Sequence, residues 1–169
     1  MKKTTFFNLL AWMMTAMLLC LSFSACKQEE PAEEESHPFS ILVGNVEVAL
    51  GAEAEPILAK LGEAQSVQEV FDCGAGNSRM WYRYASFDVY VMKTEAGETV
   101  DQIEIHDDLI TTSDGIGIGS SVSEARETYG DYELSEQEGR LVYSKGDLHI
   151  ALDVANQTVT DLMLKRTTR

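Results

Sequence analysis

The chain has 169 residues, 28 of them acidic and 13 basic, for a formal net charge of −15. That balance argues against nucleic acid, whose phosphates need clustered Lys and Arg, and against a domain lying on anionic lipid, which recruits basic clusters. The length suffices for one domain with a real core once leader and linker segments are set aside.

In chain order, Lys2 and Lys3 precede an apolar run from Phe6 to Leu21, interrupted by Asn8 and Thr15. The run covers about 16 residues, short of the ~20 that a bilayer span needs, and has the layout of a secretory signal. It closes on Leu21-Ser22-Phe23-Ser24-Ala25-Cys26. That ending resembles a bacterial lipobox, with Phe23 where a leucine is usual. The resemblance implies cleavage before Cys26 and lipid attached to it. Cys20 is no rival, because Leu18 and Leu19 before it are too large for such cleavage. Two or more acyl chains anchor stably, so the expected address is the extracytoplasmic face of a cell membrane. An outer membrane also fits, since Lys27 follows the cysteine and not the aspartate associated with inner-membrane retention.

Residues 27–38 hold Glu29, Glu30, Glu33, Glu34 and Glu35 with Pro31 and Pro38, and no aliphatic residue larger than Ala32. Such a segment cannot bury enough apolar surface to fold, and its charges extend it. The expected organisation is a signal peptide at 1–25, a lipidated cysteine and acidic tether at 26–38, and two α+β units at 39–110 and 111–169.

The two units are expected because the chain repeats itself. Val48-Ala49-Leu50-Gly51 matches Ile116-Gly117-Ile118-Gly119. Ala54, Ile57, Leu58 and Leu61 recur at helical spacing, as do Val122, Ala125 and Tyr129. Ser121 with Glu124 has the form of a capping box, and Gly62 and Gly130 stand where a helix end favours a left-handed residue. Between Gly62 and Tyr82 the first copy is longer. There Val67–Phe71 reads as a short strand and residues 72–77 as a loop carrying Cys73.

Two matching hairpins follow. Val89–Val91 and Thr99–Ile105 correspond to Leu148–Ile150 and Thr158–Leu164, and Gly97 corresponds to Asn156, both suited to positive φ. Tyr82, Tyr84, Val89, Val91, Ile103 and Ile105 share one parity. Leu141, Tyr143, Leu148, Ile150, Leu162 and Leu164 do the same. These faces are assigned to the helices. The expected fold class is α+β: two tandem repeats, each a helix packed on an antiparallel β meander of about three strands.

The run Gly115–Ser121, the helix ending in Tyr129-Gly130 and the strand with Tyr143 resemble the tandem repeat of small bacterial lipoproteins. The fold of that group is similar to that of the beta-lactamase inhibitory protein and of outer-membrane-assembly lipoproteins of the SmpA/OmlA type. The resemblance spans roughly residues 40–165. It implies a helix-plus-sheet module, no cofactor, and a role in binding or inhibiting other proteins. Fold kinship alone does not transfer function.

Catalytic constellations are sparse. The histidines are His37, His106 and His149, and no H-x-x-x-H or C-x-x-C occurs, so neither a metal nor a catalytic site is expected. Asp107, Asp108 and Asp114 lack the spacing of an EF-hand loop. The glycines at 115–119 lack the strand-to-helix setting of a dinucleotide loop.

The outward parity carries Trp81, Arg83, Tyr90 and Met92, with Val142, His149 and Met163 from the second unit. Trp, Tyr and Arg are enriched at binding hot spots and Met at interfaces. Trp81, Arg83, Tyr90, Met92 and His149 are therefore the candidate partner-binding residues. The expected function is a membrane-anchored, non-catalytic lipoprotein that binds a protein. One alternative is an inhibitor of a secreted or envelope enzyme acting through loop 72–77. Another is a thiol-dependent enzyme pairing Cys73 with His106 or His149.

Overall fold

The structure is a computed structural model that describes residues 38–71, 78–94 and 97–167. The expected signal peptide, Cys26 and all but the last residue of the expected 26–38 tether lie outside the described residues, as do Cys73 and the expected loop at 72–77.

The chain enters through a small hairpin of β1 (Ser40–Val43) and β2 (Val46–Ala49), turned at Gly44 with φ 60°. Helix α1 (Ala54–Leu61) follows, ending on Gly62 at φ 81°. A meander of β3 (Ser66–Phe71), β4 (Ser78–Arg83), β5 (Phe87–Thr94) and β6 (Gly97–Ile105) comes next. A two-residue strand β7 (Thr111–Thr112) pairs with β1, and α2 (Val122–Thr128) leads to a second meander. That meander is β8 (Glu133–Gln137), β9 (Arg140–Lys145), β10 (Leu148–Ala155) and β11 (Thr158–Arg166).

The two meanders do not form two modules. They join into one antiparallel eight-stranded sheet in the order β3-β4-β5-β6-β11-β10-β9-β8, beside a three-stranded sheet in the order β2-β1-β7. This overturns the expected α+β pair of helix-on-meander repeats, for the described chain is mostly strand. Its helices have only eight and seven residues. Helices that short are marginal by themselves and are held by packing. Each meander alone would leave a long edge at its last strand. Pairing β6 with β11, with Ile103 opposite Leu164 and Ile105 opposite Leu162, satisfies both edges. The second meander has four strands where about three were expected, while the fourth strand of the first, β3, falls on the short strand expected at Val67–Phe71. The overlooked strand, β8, is exposed at every position and shows no apolar alternation.

One core lies on the inward face of the large sheet. Val89, Val91, Ile103 and Ile105 from one meander and Leu141, Tyr143, Ile150, Leu162 and Leu164 from the other are all buried. Tyr82, Tyr84 and Leu148 pack at its margin. Phe39, Ile41 and Val48 of the entry hairpin belong to the same cluster, with Ala54 of α1 and Val122, Ala125 and Tyr129 from around α2. Tyr129 packs its ring 5.3 Å from that of Tyr143 and 5.9 Å from that of Phe39, and its hydroxyl meets the Thr112 hydroxyl at 2.8 Å.

The capping box forms at α2: Ser121 Oγ accepts from the Glu124 amide at 3.2 Å, and Glu124 Oε2 accepts from the Ser121 amide at 2.8 Å. The bonds that the Ser121 amide and hydroxyl donate to the carboxylate hold it below its ordinary range. Gly97 and Asn156 both take positive φ in their turns, at 133° and 52°. Gly130 does not. A Cβ there would lie 2.9 Å from the Arg126 carbonyl oxygen, so glycine serves space and not handedness.

Candidate functional site

The face opposite the core is best furnished across β4, β5 and β6. Antiparallel register sets Trp81 opposite Tyr90 and Tyr90 opposite Gln102. One row along, Arg83 stands opposite Asp88 and Asp88 opposite Glu104. Between Tyr90 and Val91 the register shifts, because β6 carries one extra residue, Asp101, in a bulge.

The two rows interlock. The Trp81 and Tyr90 rings stack with centroids 5.8 Å apart and planes 5° from parallel. The Arg83 guanidinium lies 4.2 Å from the Trp81 ring centroid, a cation–π contact. Arg83 Nε is 3.8 Å from Asp88 Oδ1, too long for a hydrogen bond. His106 Nε2 is 3.1 Å from Asp88 Oδ2. Glu104 accepts from Gln102 Nε2 at 2.6 Å and from the Tyr90 hydroxyl at 3.3 Å. Burial first, and the Glu104 carboxylate second, push the Tyr90 phenol up to about 12, so it stays a donor at any physiological pH.

A second charged pair sits beside this patch. Asp101 is 2 % exposed and 3.1 Å from Arg79 NH1. Burial raises its carboxyl above the ordinary range, although Arg79, Lys165 and Arg166 pull the other way.

Of the residues singled out by outward parity, Trp81 and Tyr90 are half-buried and joined, and Arg83 is 47 % exposed beside them. Met92 is only 6 % exposed and presents almost no surface to a partner. His149 lies in the same cross-strand row as Trp81, through Tyr90, Gln102 and Lys165. Four strand spacings still separate the two, roughly 19 Å. His149 instead pairs its Nδ1 with Ser144 Oγ at 2.8 Å. Asp107 closes a turn by accepting from the Leu109 amide at 3.0 Å.

Sequence reasoning missed Asp88, Glu104, Arg79 and Asp101. The parity shared by Asp88 and Tyr90 was legible. The cross-strand opposition of two carboxylates and the bulge were not. Together Asp88, Glu104 and His106 bring metal-ligating atoms within 4.8 Å of one another. No described helix is long and apolar enough to cross a membrane.

No family model and no curated protein matches the chain. Among solved structures it is similar to a cysteine-rich secretory protein from Staphylococcus aureus, at 12% identity and a TM-score of 0.47. The match covers 70% of this chain and 44% of the other, so this chain spans less than half the length of that protein.

Proposed function

We propose that this chain is a membrane-anchored, extracytoplasmic lipoprotein whose folded part binds a protein partner, without catalysis, through the β4–β6 face. The observation that carries the reading is the Trp81–Tyr90 stack with Arg83 over the indole, partly exposed on the face opposite the core. Trp, Tyr and Arg dominate binding hot spots because each buries a large surface. The rings are already stacked, so little side-chain entropy remains to be lost on docking. Met92 and the distant His149 are left out of this contact surface.

Trp81→Ala removes both the stack and the platform for Arg83. Affinity capture from envelope extracts with the full chain should yield a specific partner whose affinity the Trp81→Ala chain loses by at least about 30-fold, a hot-spot loss of roughly 2 kcal/mol or more. Equal capture by both chains, or no specific partner, sinks the reading.

The anchor has its own test. The apolar leader and small-small-cysteine ending support lipid on Cys26, and Cys26→Ser should move the protein from the membrane fraction to the soluble one, read by fractionation and by loss of acyl-chain labelling. A variant that stays labelled and membrane-bound defeats the lipobox assignment.

A further inference from the structure

We propose that Asp88, Glu104 and His106 bind one divalent transition-metal ion on the β5–β6 face. This goes beyond partner binding and does not depend on it. The two carboxylates stand directly opposite each other across β5 and β6. Like charges at opposed cross-strand positions destabilise a sheet unless a cation lies between them. Asp88 is only 2 % exposed, and its Oδ1 has no hydrogen-bond partner. A buried carboxylate oxygen left so is costly and points to a group it is built to receive. Arg83, at 3.8 Å, is drawn instead over the Trp81 ring.

The geometry suits an ion. One oxygen of each carboxylate and a ring nitrogen of His106 lie within 4.8 Å of one another, and His106 Nε2 is already 3.1 Å from Asp88 Oδ2. Donors about 2.1 Å from a shared zinc-sized ion are about 3 to 3.5 Å apart, so roughly 1 Å of side-chain movement closes the set. His106 is 43 % exposed, and Glu104 is only half-buried, so both have room to turn. Gln102 and Tyr90 already bond to Glu104 and would orient it, as outer-shell donors do at metal sites. Each bonded oxygen keeps a lone pair for the ion. One imidazole with two carboxylates favours Zn²⁺, Mn²⁺ or Co²⁺ over Ca²⁺ and Mg²⁺, which take oxygen ligands. Three protein donors leave coordination positions for water or a ligand.

The test uses the full chain in detergent, stripped with chelator and titrated with Zn²⁺ and Co²⁺ by calorimetry, with the Co²⁺ absorption spectrum as a second readout. One equivalent should bind. Asp88→Asn and His106→Ala should each weaken binding by at least about tenfold, the least that loss of an inner ligand costs when outer-shell losses cost that much. Asp88→Asn keeps side-chain volume, so it reports on ligation and not on packing. The double variant His37→Ala/His149→Ala, which removes the chain's other histidines, should bind as the parent does. Absence of saturable binding, or binding unchanged by both site variants, or binding lost in the His37/His149 double variant, overturns the proposal.

Discussion

Leu164→Ala is expected to lower stability by about 3 kcal/mol, within the range of 2 to 5 for emptying a fully buried leucine site. Leu164 has no exposed surface and faces Ile103, equally buried, across the β6–β11 seam. The seam is where one meander hands over to the other, so a cavity there touches both. Ile103→Ala should cost a similar amount. The double variant should fall short of the sum by 0.5 kcal/mol or more, because the two side chains share one cavity. Urea denaturation followed by tryptophan fluorescence and by circular dichroism should give coincident single transitions in every variant. Two separable transitions, or strict additivity, would mean that the meanders are independent and that the seam is not a core contact.

Arg79→Leu is expected to cost about 2 to 4 kcal/mol at pH 7, more than a surface arginine can account for. The reason is Asp101. Its carboxylate is buried in the β6 bulge, and Arg79, itself only 16 % exposed, is its ion-pair partner at 3.1 Å. Removing one partner of a buried pair leaves the other charge uncompensated. Arg79→Leu/Asp101→Leu should recover most of the loss. Because burial raises the Asp101 carboxyl above its ordinary value near 3.8, the folded chain holds that proton more tightly than the unfolded one. Stability from this group therefore increases as pH falls from above the raised value towards the ordinary one, and is lost as pH rises through the raised value. Asp101→Asn should flatten that slope. Asp153 and Asp147 act in the opposite sense, held low chiefly by hydrogen bonds from Arg140 and Arg166. Their contribution is present above the ordinary carboxylate value and fades only below it, so the two pH windows do not overlap. A stability profile unchanged by Asp101→Asn would refute the assignment.

Several elements were legible in the residues. The capping box at Ser121 and Glu124, the turn glycine at 97 with its counterpart Asn156, and the buried parity of Val89, Val91, Ile103, Leu162 and Leu164 depend on neighbours a few positions away. Strand β8 escaped because Glu133–Gln137 carries no apolar alternation, being held by its register with β9 rather than by burial. Met92 shares the outward parity of Tyr90 and stands opposite Arg79, yet it is buried, which parity along one strand does not foretell.

The candidate site divides the same way. By itself the sequence determined the acidic balance, the apolar N-terminal run that precedes Cys26, the Glu- and Pro-rich composition of residues 27–38 and which strand residues share a face. Each follows from composition or from a spacing of two to four residues. Only the tertiary structure decided that two meanders share one sheet, that Asp88 faces Glu104 with His106 alongside, and that Arg79 neutralises Asp101. Those outcomes depend on register between strands, and register is chosen where whole apolar faces and backbone edges find their partners at once.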